Sequence, residues 1–310
     1  MRVLFLDTVH PVLQEKLEDK GVQCHQDYTS SYTEIQAKLQ DYEGLVIRSR
    51  IPVDRTLLEA GKSLQFIARS GAGLENIDLP AASELGIQVF HSPEGNRRAV
   101  AEHSIMFMLG LINHLKRGDT EVRAGQWNRE KNRGLELQNA CIGVIGYGYM
   151  GKELVKVLLG LGCTNILVHD KYLQNFGQAG FEAVSLERIQ NEAQIISVHL
   201  PQSQETQHYV DAAFINQVKS PFYLINTARG KNVSLADLAE GIKQGKVLGA
   251  GLDVLELEKS SFEGVEKNEA LDFLMQRDEV LFTPHVGGWT QESYFKLADV
   301  LFQKIEKAFL

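Results

Sequence analysis

Ala140-Cys141-Ile142-Gly143-Val144-Ile145-Gly146-Tyr147-Gly148-Tyr149-Met150-Gly151 decides the fold. An apolar run reads as a buried strand, breaks into glycines spaced Gly-x-Gly-x-x-Gly, and gives way to an amphipathic stretch. The spacing alone is weak evidence, because 27 glycines produce chance matches. Context strengthens it: strand before, helix after, and Asp170 closing the next apolar run, Ile166-Leu167-Val168-His169. Gly146 permits the tight turn, Gly148 lets a pyrophosphate approach the backbone, and Gly151 lets helix and strand pack closely. The pyrophosphate would sit at the helix N-terminus, where free N–H groups point outward. Asp170 would accept hydrogen bonds from ribose hydroxyls and repel a 2′-phosphate, so the expected dinucleotide is NAD rather than NADP. Lys171 next door softens that repulsion.

Outward from this turn, short apolar runs alternate with helical patterns along the whole chain. Strands are expected at 3–6, 45–47, 66–68, 142–145, 166–168, 195–198, 223–225, 248–252 and 280–282. Amphipathic helices are expected at 11–20, 33–40, 152–159 and 234–244, the last opening with Ser234 and carrying Asp237 three residues on, as in a capping box. Strands of this length between helices form βαβ units and parallel sheets covered on both faces. Nine strands and 310 residues are too many for one ordinary sheet and suit two doubly wound α/β domains. The stretch 98–117 keeps a helical period for about five turns through Val100, Ala101, Ile105, Met108, Leu109, Ile112 and Leu115, a helix that could bridge two domains.

Composition narrows the function. Apolar residues make up 44% and charged residues 23%, which excludes disorder and coiled coil as the main architecture. The balance of 32 basic against 40 acidic residues leaves a net charge of -8, a poor match to nucleic acid or an anionic membrane. The run 104–113 is too short to span a bilayer. The N-terminal apolar stretch ends at Asp7 after four residues, too short for the core of a signal peptide. Cys24, Cys141 and Cys163 are scattered without metal-type spacing, so reduced thiols, a cytoplasmic protein and no metal are expected.

Three further strand ends carry chemistry: Asn226-Thr227-Ala228-Arg229-Gly230, Gly249–Glu258 with its acids Glu256 and Glu258, and Thr283-Pro284-His285-Val286-Gly287-Gly288. Loops at the carboxyl ends of parallel strands converge on one crevice. A guanidinium there holds a carboxylate and polarises a carbonyl. An imidazole exchanges the hydroxyl proton, and a neighbouring acid supports its charged form.

Six blocks in order carry a resemblance over essentially the whole chain. They are Ala68-Arg69-Ser70-Gly71-Ala72-Gly73-Leu74-Glu75-Asn76-Ile77-Asp78, Asn96 with Val100-Ala101-Glu102, the glycine turn, Asn226–Gly230, Gly249–Val254 and Pro284–Gly288. The sequence resembles the D-isomer-specific 2-hydroxyacid dehydrogenase family. The resemblance implies two Rossmann-like domains, one discontinuous: a substrate domain of 1–95 and 286–310 around an NAD-binding domain of 96–285. The family's catalytic Arg, Glu and His fall on Arg229, Glu258 and His285. Its carboxylate-binding backbone amides fall on Ser70, Gly71 and Ala72, and Asn96 joins the substrate contacts. Besides the glycines and Asp170, cofactor contacts are implied at Tyr149, Met150, His199, Pro201, Thr206, Thr227, Ala228, Asp253 and Gly287.

Lys259 stands where the family usually follows its catalytic Glu with Pro, and an acidic, helix-like insertion reaches Gln276, so Glu256 remains a rival for the role of Glu258. Arg48-Ser49-Arg50 resembles the anion-binding segment of the branch that oxidises 3-phosphoglycerate, the first step of serine biosynthesis. Two arginines flanking a hydroxyl can hold a phosphate; the alternative is an ordinary surface pair. A sibling glyoxylate or hydroxypyruvate reductase would keep the same triad, and an NAD-sensing corepressor-like protein would keep the cofactor site. The chain stops at Leu310, so the regulatory domains of longer members are not expected. The family forms homodimers, which would bring the Gln126-Trp127-Asn128-Arg129 segment near the partner's site.

Overall fold

The computed structural model describes residues 1–258, 266 and 268–310. Lys259 and much of the acidic insertion lie outside the described residues; the insertion's end is the helix Glu269–Met275. The chain divides into two compact units, Met1–Arg97 with Trp289–Leu310, and Arg98–Gly288. The divisions at 97 and 288 fall two and three residues beyond the bounds of 95 and 285 expected from the sequence.

The first unit is built on β1 (Arg2–Phe5), β2 (Gln23–Gln26), β3 (Gly44–Ile47), β4 (Phe66–Arg69) and β5 (Gln88–His91), ordered β2-β1-β3-β4-β5 and parallel throughout. Successive side chains of a strand face opposite sides of its sheet. Val3 and Phe5 accordingly pack with Leu13, Leu17, Leu301 and Phe302. Leu4 and Leu6 pack with Ile35, Leu39 and Leu57 on the other face. Both faces are covered, which is why β1 and β3 read as unbroken apolar runs. The C-terminal helix Gln291–Phe309 closes this unit: Lys304 Nζ lies 2.9 Å from Glu94 Oε2, and the rings of Phe309 and Phe66 stand 5.1 Å apart.

The second unit carries β6 (Ile142–Ile145), β7 (Ile166–His169), β8 (Glu182–Ala183), β9 (Ile195–Val198), β10 (Phe222–Asn226), β11 (Val247–Leu252) and β12 (Val280–Phe282). Their order is β12-β11-β10-β9-β6-β7-β8, again all parallel. The chain runs from β6 outward to β8, then returns to place β9 on the other side of β6. That reversal opens a crevice at the carboxyl ends of β6 and β9, where open α/β sheets bind ligands.

One expected element is corrected. The periodic stretch 98–117 is not a single helix: Pro93–Ile112 ends where His114 adopts a left-handed φ of 52°, and a second helix, Leu115–Arg123, follows. Leu115 is 63% exposed, so the last apolar residue of the apparent period does not share the buried face of Ala101, Met108 and Ile112. The domain division at Arg97 falls inside the first of these helices. Among the described residues no helix is long and apolar enough to cross a membrane, and no cluster of His, Cys, Asp or Glu could hold a metal ion.

Candidate active site

The nucleotide turn is shaped by its glycines in three different ways. Gly146 has φ +95°, a conformation L side chains rarely adopt, and its N–H donates to His169 O at 2.8 Å. A Cβ on Gly151 would stand 2.0 Å from Gly146 O, so the helix Tyr149–Gly160 seats on the turn only because that carbon is missing. A Cβ on Gly148 would meet nothing within 4 Å. Gly148 is also the helix N-cap and supplies no side-chain acceptor to the first-turn N–H groups. An open space facing uncapped amide donors fits a pyrophosphate. Tyr149 and Met150 form that first turn.

Asp170 follows β7 directly. Its Oδ2 accepts the Tyr147 N–H at 2.8 Å, and its Oδ1 accepts those of Tyr172 and Leu173 at 3.0 and 3.2 Å. Burial alone would push this carboxyl up, but the three backbone donors together hold it below the ordinary aspartate value. Lys171 pairs with Glu205, so its charge is balanced by a second carboxylate. His199, after β9, is buried, with Nε2 2.9 Å from Ser197 Oγ; burial lowers its pKa to about 4 and keeps the ring neutral. Thr206 donates to Pro201 O at 2.6 Å and stiffens the same loop.

The loop after β10 is held by two buried asparagines. Asn226 Oδ1 accepts the Ala228 N–H at 3.1 Å while its Nδ2 donates to Arg229 O at 2.9 Å. Asn232 Oδ1 accepts the Arg229 N–H at 3.1 Å. The Arg229 guanidinium itself donates to Ala228 O at 2.7 Å, and Thr227 Oγ1 lies 2.9 Å from Ser104 Oγ.

After β11 and β12 the carboxylates sort themselves. Glu258 Oε2 lies 2.7 Å from His285 Nδ1, and its Oε1 accepts the Leu255 N–H. Glu256, the rival, faces elsewhere: its carboxylate meets His208 Nε2 at 2.6 Å and the Leu235 N–H at 3.1 Å. The His285 loop is pinned by Asp253, which accepts from Thr283 O–H at 2.6 Å, Val286 N–H at 2.8 Å and Gly287 N–H at 2.7 Å. Since the Thr283 proton goes to Asp253, Thr283 Oγ1 accepts from His103 Nε2 at 2.8 Å. Burial lowers the His103 pKa despite the facing Asp253. His285 holds a left-handed φ of 56°, uncommon for a non-glycine residue and maintained by this surrounding network. His103 and His208 had no signal in the sequence, because their partners Thr283 and Glu256 lie 180 and 48 residues away along the chain.

In the first unit, Ser70, Gly71 and Ala72 follow β4. Gly71 O and Ala72 O accept from Ser92 N–H at 2.9 Å and His91 Nδ1 at 2.7 Å, which turns the loop's carbonyls inward on its own unit. Asn96 Oδ1 is buried with no hydrogen-bond partner. Arg48 and Ser49 follow β3, and the Arg48 guanidinium lies over the Trp289 ring, 4.2 Å from its centre. Arg50 is held by backbone carbonyls of its own unit. Its guanidinium donates to Leu6 O at 2.8 Å, Ser30 O at 2.7 Å and Asp27 O at 3.0 Å, which builds it into this unit's own loops.

Comparison with known proteins agrees with this architecture. Residues 105–287 match the family model for the D-isomer specific 2-hydroxyacid dehydrogenase, NAD binding domain. The chain is 32% identical over 307 residues to a D-3-phosphoglycerate dehydrogenase of Archaeoglobus fulgidus, covering 98% of this chain but 56% of that protein, so it spans about half that relative's length. It is 34% identical over 274 residues to a hydroxypyruvate reductase of Thermotoga maritima, covering 88% of this chain and 87% of that one. The structure of an Aquifex aeolicus D-lactate dehydrogenase complexed with NAD and lactic acid superimposes with TM-score 0.83 at 28% identity, covering 100% and 95% of the two chains. With the glycine turn, the Asp170 corner and the family model coinciding on one NAD-binding unit, the chain belongs to the D-isomer specific 2-hydroxyacid dehydrogenase family.

Proposed function

We propose that this chain is an NAD-dependent dehydrogenase interconverting a D-2-hydroxy acid and its 2-oxo acid, with 3-phosphoglycerate and 3-phosphohydroxypyruvate as the pair, as in serine biosynthesis. The Glu258–His285 contact carries the reading. A carboxylate on Nδ1 fixes the ring as an Nδ1–H donor and assigns Nε2 to the C2 hydroxyl proton. Arg229 holds the C1 carboxylate and the C2 oxygen, and the backbone amides of Ser70, Gly71 and Ala72 share the carboxylate. Gly146, Gly148, Gly151 and Asp170 hold the cofactor, with contacts from Tyr149, Met150, His199, Pro201, Thr206, Thr227, Ala228, Asp253 and Gly287. When bound, NAD accepts the C2 hydride and NADH returns it. Arg48 takes the phosphate, with Ser49 beside it, and Asn96 joins the substrate contacts. A homodimer belongs to the same reading, and the 78% exposure of Trp127 supports a covered surface there.

A second reading has its own support. The hydroxypyruvate reductase relative is matched over nearly its whole length, and Arg50 is committed to backbone carbonyls. Assay of the purified protein with NADH against 3-phosphohydroxypyruvate, hydroxypyruvate and glyoxylate separates the two. The highest kcat/KM is expected on 3-phosphohydroxypyruvate. A higher value on hydroxypyruvate would move the assignment to the reductase, and NADH binding without turnover of any 2-oxo acid would reject both.

A further inference from the structure

The nucleotide turn is flanked by two loops, because β7 and β9 lie on either side of β6. Gly146 touches both: its N–H meets His169 O, and its Cα packs so closely on His199 that a Cβ would stand 2.5 Å from His199 O. The loops are also joined by side chains. Glu205, after β9, pairs through one carboxylate oxygen with Lys171 Nζ and accepts the Tyr172 hydroxyl through the other. Lys171 and Tyr172 directly follow Asp170, and Tyr172 N–H is one of the donors that hold its carboxylate.

We propose that Glu205 determines dinucleotide choice by holding and cancelling Lys171, the cation that would otherwise attract a 2′-phosphate beside Asp170. This inference rests on the turn being an NAD site. The three side chains are exposed, Lys171 at 65% and Glu205 at 43%, so their pairing contributes little to stability and its effect is on the local field. Asp170, Lys171 and Glu205 sum to one negative charge; without Glu205 they sum to zero. The freed ammonium regains the N–H it gives to Glu205 and can turn all three of its donors to a phosphate. Both changes leave the uncharged 2′-hydroxyl of NAD nearly indifferent.

Fluorescence titration of the purified protein with NADH and with NADPH tests this without any substrate. Glu205→Gln is expected to tighten NADPH binding by roughly three- to tenfold and to change NADH binding by less than about twofold. The gain should shrink when salt is raised from about 0.05 to about 0.5 M, and it should vanish in a Lys171→Met background. An unchanged NADPH-to-NADH ratio in Glu205→Gln overturns the inference, as does a gain that persists without Lys171. A parent protein that binds neither cofactor would instead overturn the NAD reading beneath it.

Discussion

Glu258 Oε2 lies 2.7 Å from His285 Nδ1, whereas Glu256, two residues earlier, lies 2.6 Å from His208 Nε2. The two carboxylates therefore answer for different properties. His285→Ala should lower kcat/KM by about a hundredfold or more, the usual cost of a lost general acid/base. Glu258→Gln should lower it by about tenfold or more while NADH binding survives, because the orienting charge on the ring is gone. Glu256→Gln should leave turnover within about twofold and cost roughly 1 kcal/mol of stability through its lost bonds. Steady-state kinetics with a denaturation curve for each variant decides; a kinetic defect confined to Glu256→Gln would reverse the assignment.

Gly148 and Gly151 should separate binding from folding within one turn. A methyl group on Gly148 enters open space, so Gly148→Ala should fold normally, yet it places a carbon where the pyrophosphate approaches. NADH affinity is expected to fall by about tenfold or more, the scale of one or two lost phosphate contacts. A methyl group on Gly151 would stand 2.0 Å from Gly146 O, so Gly151→Ala should lower Tm or prevent soluble expression. Calorimetry and cofactor titration of both variants check this; loss of stability at Gly148 with binding intact would contradict the assigned phosphate position.

Much of this architecture was legible because parallel strands buried on both faces write unbroken apolar runs, as β1, β3 and β6 do. The three strands that left no such trace, β2, β5 and β8, are all sheet edges. Their residues, such as Gln23, His25, Gln88 and Glu182, face solvent on at least one side, so no apolar run marks them. His114 hid a helix break because a single left-handed residue leaves the apolar spacing intact. At the site, Arg229 and His285 stood out by residue type after a strand. The choice between Glu256 and Glu258 did not, since two acids two residues apart differ only in what the fold brings to meet them. Arg50 shows the same limit: its chemistry suits an anion, and only the fold reveals that the carbonyls of Leu6, Asp27 and Ser30 take up three of its donors.

Arg48 and Arg50 should consequently behave as different kinds of residue. Arg50→Gln leaves three carbonyl oxygens without their donor and should destabilise the first unit by about 1–3 kcal/mol, with any kinetic effect shared by all substrates. Arg48→Gln should raise KM for 3-phosphohydroxypyruvate and leave glyoxylate nearly untouched, because glyoxylate has no phosphate to lose. Trp289→Leu removes the aromatic face beneath the Arg48 guanidinium and should produce a weaker version of the same selective defect. Kinetics of the three variants on both substrates checks this, and equal losses on the two substrates for Arg48→Gln would remove the support for a phosphorylated substrate.

His199 should make the fold sensitive to acid. Its ring is buried, and burial lowers its pKa to about 4 from the ordinary value of 6.5 that holds in the unfolded chain. Between those two values the unfolded chain binds the proton and the folded chain does not, so stability rises with pH across the window. The contribution is complete above about pH 6.5 and is lost progressively as pH falls toward 4. At pH 5 the loss from this one group is on the order of 2 kcal/mol. The lowered pKa of His103 acts in the same direction. His199→Gln removes the titrating ring, so the variant, whatever its stability at pH 7, should lose less between pH 7 and pH 5 than the parent does. Urea midpoints of both proteins at the two pH values give the comparison, since every other acid-sensitive group is common to them. Equal losses in parent and variant would mean that His199 takes up its proton in the folded state.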